Sequence, residues 1–140
     1  MPETLRGVDI SNLQGPPSAY RDQQWYVDAD FVLVQAIEPP SGYPGHDFID
    51  PETGKRGYTG VQLRAAVEDG KKVGTYAWLW NGLADTRGNI LARLATVPPS
   101  VSLDMRPWVD VEDTTGGLQG LVASPVRDRL SRQLQSEPRP

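Results

Sequence analysis

The chain has 140 residues, 38% of them hydrophobic and 23% charged, with a net charge of −4 and with 14 glycines and 13 prolines. That is one ordinary domain, long enough to bury a core and rich in turns, and it carries no basic footprint for nucleic acid. The lack of cysteine excludes disulfides, thiolate metal sites and a cysteine nucleophile, and the single histidine, His46, excludes a multi-histidine metal site.

The opening MPETLRGVDIS has no basic stretch followed by an apolar one, so no secretory signal is read. No apolar run approaches the length of a membrane span, and a soluble protein is expected. Leu5 to Ile10 reads as a short strand ending at Asp9-Ile10. Ser11 to Pro17 is a loop with turn chemistry at Gly15-Pro16-Pro17. Ser18 to Asp28 reads as a short helix capped by Ser18. Phe31 to Ile37, FVLVQAI, is almost continuously apolar, as suits a strand buried on both faces. Pro39 to Tyr58 is a Gly- and Pro-rich loop, longer than usual strand-to-helix connections. His46, Asp47 and Asp50 within it read as solvated.

Thr59 reads as the cap of a helix that runs to about Asp69 and stops at Gly70. Val73 to Trp80, VGTYAWLW, is the third strand. Asp85 to Thr96 is helical, with Ile90, Leu91 and Leu94 on one stripe, and Pro98-Pro99 ends it. Val101 to Leu103 is extended, and Trp108 to Glu112, WVDVE, is the fourth clear strand. Ser124-Pro125 opens a last helix to about Gln135, with Val126, Leu130 and Leu134 at one spacing and Arg127, Arg129 and Arg132 on a wet face. Residues 1–135 thus read as one α/β domain of four to five strand–helix units, and 136–140 as a frayed tail. Alternating helices and buried strands predict a parallel sheet, and sites in such folds gather at the C-terminal ends of the strands.

Acidic residues fall near those ends: Asp9, Glu38, and the pair Asp110 and Glu112. On a strand, residues two apart share a face. Two carboxylates side by side repel each other and lose hydration, a cost that proteins concentrate at functional sites. Such a pair also raises one of its two pKa values, as a general acid working near neutral pH requires. The plainer alternative is an edge strand with a wet face, since Asp-x-Glu is a common tripeptide. Tyr76, Trp78 and Trp80 alternate along one strand, which suits either stacking on sugar rings or core packing. Trp25 and Trp108 read as core. No G-x-G-x-x-G follows a strand, which argues against a dinucleotide-binding domain.

Four segments together resemble one known family. GVDISNLQG at 7–15 is similar to an opening strand of the form G-[IV]-D-[IV]-S-x-[aromatic]-Q-G. FVLVQAIEP at 31–39, VGTYAWLW at 73–80 and WVDVED at 108–113 resemble the next three strands of the same family, in its order. The family is the family-25 glycoside hydrolases, the lysozyme-type muramidases of phages, bacteria and fungi. The sequence departs from the pattern at Leu13, Gln35, Ile37, Pro39 and Ala77, and the Pro39–Tyr58 loop looks like an insertion.

The resemblance implies a (β/α)-barrel fold, of which this chain would supply the first half. A further C-terminal segment or a partner chain would complete it. It implies hydrolysis of the β-1,4 bond between N-acetylmuramic acid and N-acetylglucosamine in peptidoglycan, with no metal and no organic cofactor. Glu112 then matches the general acid, Asp110 its assisting neighbour, and Asp9 the supporting acid of the first strand. Glu38 matches a further acid at the end of the second strand, and with Tyr76 and Trp78, the rings read as stacking on sugar, it makes up the expected substrate-binding set. An oxocarbenium-like transition state explains why carboxylates suffice. Peptidoglycan or a related polysaccharide is the expected partner, with no nucleic acid and no membrane. The expected setting is the bacterial cell wall, reached from a phage by lysis or in the virion. Two alternatives stay open: an inactive glycan-binding module of a phage virion or tail protein, and a glycosidase-like domain of different polysaccharide specificity.

Overall fold

A computed structural model describes residues 5–79 and 86–111. Trp80, Asp85, Glu112, the 114–120 loop, the helix expected from Ser124 to Gln135 and the tail lie outside the described residues. The fold is α/β with a parallel sheet. Its strands are β1 (Gly7–Ile10), β2 (Phe31–Gln35), β3 (Lys72–Leu79) and β4 (Trp108–Val111). All neighbours pair in parallel, and the spatial order is β1-β2-β3-β4, the same as the order in sequence.

The helices are α1 (Gln24–Val27), α2 (Thr59–Glu68) and α3 (Thr86–Leu94). Right-handed crossovers between sequentially adjacent parallel strands put every connection on one face of the sheet. The core is built that way. Ile10, Val32, Val34 and Val73 from the sheet share a single buried cluster with Leu63 and Ala66 of α2. Tyr26 of α1 and Val97, Val101 and Leu103 between α3 and β4 belong to the same cluster. Val32, Val34, Leu63 and Val73 are fully buried, each worth roughly 1.5–3 kcal/mol relative to exposure. Sequence order and strand order run together throughout, so the described sheet has no point of reversal of the kind that forms a dinucleotide crevice.

Helix α2 ends in a Schellman motif. Gly70 has φ +76°, its N–H donates to the Val67 carbonyl at 3.0 Å, and the Lys71 N–H donates to the Ala66 carbonyl at 3.0 Å. Its start differs from expectation. Tyr58 occupies the cap position without a side-chain bond, while the buried Thr59 hydroxyl donates to the Gln35 carbonyl at 2.9 Å. Thr59 therefore ties the helix to the end of β2 and is not its cap.

The expected helix from Ser18 to Asp28 is instead a 3₁₀ turn, Pro17–Ala19, followed by the single turn of α1. A short helix is costly to nucleate, and tertiary contacts win here. Tyr20 is buried with its ring centroid 5.0 Å from that of Tyr26. Arg21 turns away to Asp69, at 2.7 Å, and to Glu68, at 3.1 Å, beyond the end of α2 and in its last turn. The Tyr26 hydroxyl donates to Asp69 at 2.7 Å. Trp25 and Trp108 are not core: they are 42% and 59% exposed, and Trp25 stacks on Tyr20 from outside. Leu91 also leaves the expected stripe, being exposed while Ile90 is buried.

Candidate functional site

The face of the sheet opposite the helices carries the candidate residues. Strand pairing aligns Asp9 with Leu33 of β2, and Leu33 with Gly74 of β3. It aligns Gln35 with Tyr76, Tyr76 with Trp108, and Trp78 with Asp110. Paired residues share a face, as do residues two apart on one strand. Asp9, Tyr76, Trp78 and Asp110 therefore belong to one face, and the buried Val32, Val34 and Val73 to the other.

Asp110 aligns with Trp78, four residues further along β3 than Gly74, the position level with Asp9. In a flat sheet that offset is about 13 Å along the strand direction. In a barrel with shear equal to strand number, a level cut shifts register by about one residue per strand. Three strand steps then absorb three of the four residues.

Near β1 the geometry is explicit. Asp9 is exposed, and among the described residues it takes part in no ion pair. The Tyr76 hydroxyl reaches across to within 3.5 Å of the Ile10 carbonyl, one residue beyond Asp9 at the end of β1. Below them Gly74 leaves room that Leu33 and Met105 fill: a Cβ there would lie 2.9 Å from Leu33 Cδ2.

The loop after Asp9 is held firmly. The Ser11 side chain accepts from the Leu13 N–H at 3.2 Å, and Gln14 Oε1 accepts from the Ser11 N–H at 2.6 Å. This capping box fixes the 3₁₀ turn Asn12–Gln14. From α2, the buried Gln62 amide donates to the Ser11 and Gly15 carbonyls, both at 2.8 Å. Buried Asn12 accepts from the Tyr58 N–H at 2.6 Å. The sequence reading singled out neither Gln62 nor Asn12, though the SNLQG string held the capping pattern.

Glu38 lies past the end of β2 and is exposed. Its Oε2 accepts from the Arg56 N–H at 3.0 Å, and with Ile37, Ala92 and Arg93 it borders a small cleft of about 200 Å³. Glu38 is thus engaged with the long loop, and no described contact joins it to Asp9.

Asp50 is not solvated. It is 2% exposed and pairs with Arg64 through both carboxylate oxygens. It also accepts from the Glu52 and Thr53 N–H groups, both at 3.1 Å. Burial works against its ionisation, but the bonds from Arg64 and from those N–H groups prevail and hold its carboxyl below the ordinary range. Glu52 continues the network, meeting Arg64 at 3.1 Å and the Ser100 hydroxyl and N–H at 2.7 Å. The bonds from Ser100 and then Arg64 lower its pKa too. Three segments are stapled together: the long loop, α2 and the turn after α3.

That loop is ordered and forms a cleft of about 390 Å³ lined by residues 42–48 and Tyr58. The nitrogen Nδ1 of His46 lies 3.0 Å from the Pro39 carbonyl. Among the described residues no cluster of three or more histidine, aspartate or glutamate side chains could hold a metal ion, and no helix is long and apolar enough to cross a membrane.

Fold and site define an α/β chain with a parallel sheet in sequence order, on one face of which Asp9 and Asp110 both fall. No family model, no curated protein and no solved structure matches the chain.

Proposed function

We propose that the chain carries the first four strands of a (β/α)-barrel glycosidase that hydrolyses the glycan strands of peptidoglycan. One observation carries this reading. Asp9 and Asp110 share the face away from the helices, in a sheet ordered β1-β2-β3-β4, at a register offset that a barrel's shear nearly cancels. Glu112 is two residues beyond Asp110 in sequence; continued as a strand, the chain gives it the same face. In this reading Glu112 protonates the glycosidic oxygen, Asp110 assists, and exposed Asp9 steadies substrate or water beside Tyr76. Carboxylates can stabilise an oxocarbenium-like transition state without a metal. The (β/α)-barrel, the muramidase specificity and a cell-wall setting rest on the motif resemblance together with this geometry.

The test is release of reducing ends from purified peptidoglycan by the full chain, beside Asp9→Asn and Asp110→Asn. Each variant is expected to lose hydrolysis by at least about tenfold while keeping the parent's circular dichroism, because each removes a charge facing the reacting sugar. Full activity in both variants would contradict the assignment.

A further inference from the structure

The cleft in the Pro39–Tyr58 loop offers a combination of surfaces that the catalytic reading does not use. Tyr43 and Phe48 line it and are 39% and 36% exposed, large rings left at the surface of an ordered loop. Tyr58 lines it from the other side, its ring centroid 5.4 Å from that of Phe48 with the planes tilted by 36°. Its polar lining both accepts and donates hydrogen bonds. A carbonyl can only accept, so the 3.0 Å contact of His46 Nδ1 with Pro39 makes Nδ1 the donor and leaves Nε2 as the ring's second polar atom. Asp47 adds an exposed carboxylate. The guanidinium of Arg56 has its Nη1 bonded to the His46 carbonyl at 2.8 Å.

Aromatic faces beside groups that accept and donate hydrogen bonds suit a ligand with an apolar face and a rim of hydroxyl or amide groups. A neutral pyranose ring has that chemistry. Its volume suits the cleft too, since about 390 Å³ lies at the small end of ligand pockets, which run from roughly 300 to 1,000 Å³. The cleft also lies beside the loop that follows β1. Tyr58 bonds Asn12, which is three residues from Asp9, and three residues span at most about 11 Å.

We infer that this cleft is a sugar-binding subsite that takes a neutral N-acetylhexosamine ring of a glycan strand, next to the end of β1. The inference rests on the glycosidase reading for the identity of the polymer, but its test does not depend on turnover. The full chain is titrated with chitotriose, a neutral trimer of N-acetylglucosamine, and backbone amide shifts are followed by NMR. The amides of Gly42, Tyr43, Gly45 and Asp47 are expected to move, and inorganic phosphate is expected to leave them in place. Tyr43→Ala, at an exposed position, is expected to weaken chitotriose about threefold to tenfold with an unchanged melting temperature. Unmoved loop amides, or an affinity untouched by Tyr43→Ala, would overturn the inference. Cleft shifts in a chain that hydrolyses nothing would uphold the subsite and sink the catalytic reading. Hydrolysis with a silent cleft would do the reverse.

Discussion

Replacing Arg64 with alanine isolates the energetics of the loop staple. The substitution strands the Asp50 carboxylate, 2% exposed, with only the Glu52 and Thr53 N–H groups as remaining partners. Removing one member of a fully buried ion pair costs about 3–5 kcal/mol. Arg64 keeps 26% of its side chain in water, so solvent can enter part of the vacated space, and the two N–H donors stay. The expected loss is therefore about 2–3 kcal/mol at neutral pH. The pH dependence gives a second signature. Because the folded pKa of Asp50 is depressed, its contribution is full above the ordinary carboxylate range and is lost as pH falls through the folded value. In Arg64→Ala that depression is weakened, so a protonated Asp50 no longer needs its partner in acid. The gap between parent and variant should narrow from pH 7 to about pH 3. Urea unfolding followed by tryptophan fluorescence at both pH values measures it. A loss under about 1 kcal/mol at pH 7, or an equal gap at both pH values, would refute the reasoning.

Two further substitutions test the packing around the same loop. Gly60→Ala should destabilise, although alanine is the better helix former by about 1 kcal/mol. The new Cβ would fall within 2.7 Å of Asp50 Cγ, and the network holds that carboxylate in place; chemical denaturation should show a net loss of about 1–3 kcal/mol. Gln62→Leu removes the donor shared by the Ser11 and Gly15 carbonyls. It should cost about 2–4 kcal/mol in urea unfolding and speed amide exchange in residues 12–15, beside Asp9.

The strands were the most legible part of the sequence. FVLVQ and VGTYAWL are runs that only a sheet buried by a helix layer would want, and β2 and β3 fall on them. The parallel arrangement followed from the helices between them. Polar anchoring was not legible. A buried Asp50 looks like any loop aspartate until Arg64, fourteen residues on, is seen to reach it. Thr59 looks like a cap because threonine caps helices often, and only the position of β2's last carbonyls gives its hydroxyl other work. Trp25 and Trp108 have the hydrophobicity of core residues, yet the core between sheet and α2 is filled by valines, Leu63 and tyrosines. For the candidate site, strand parity alone joined only Asp110 to Glu112, while the face that Asp9 and Asp110 share, and their register offset, required the pairing itself.

The most direct test of the central claim is reducing-sugar release from purified peptidoglycan by the full chain and by its Glu112→Gln variant, with folding of both checked by circular dichroism. The account predicts release by the parent and a loss of about a hundredfold or more in the variant, the scale of a missing general acid. Equal release by both chains, or none by a folded parent, would contradict it.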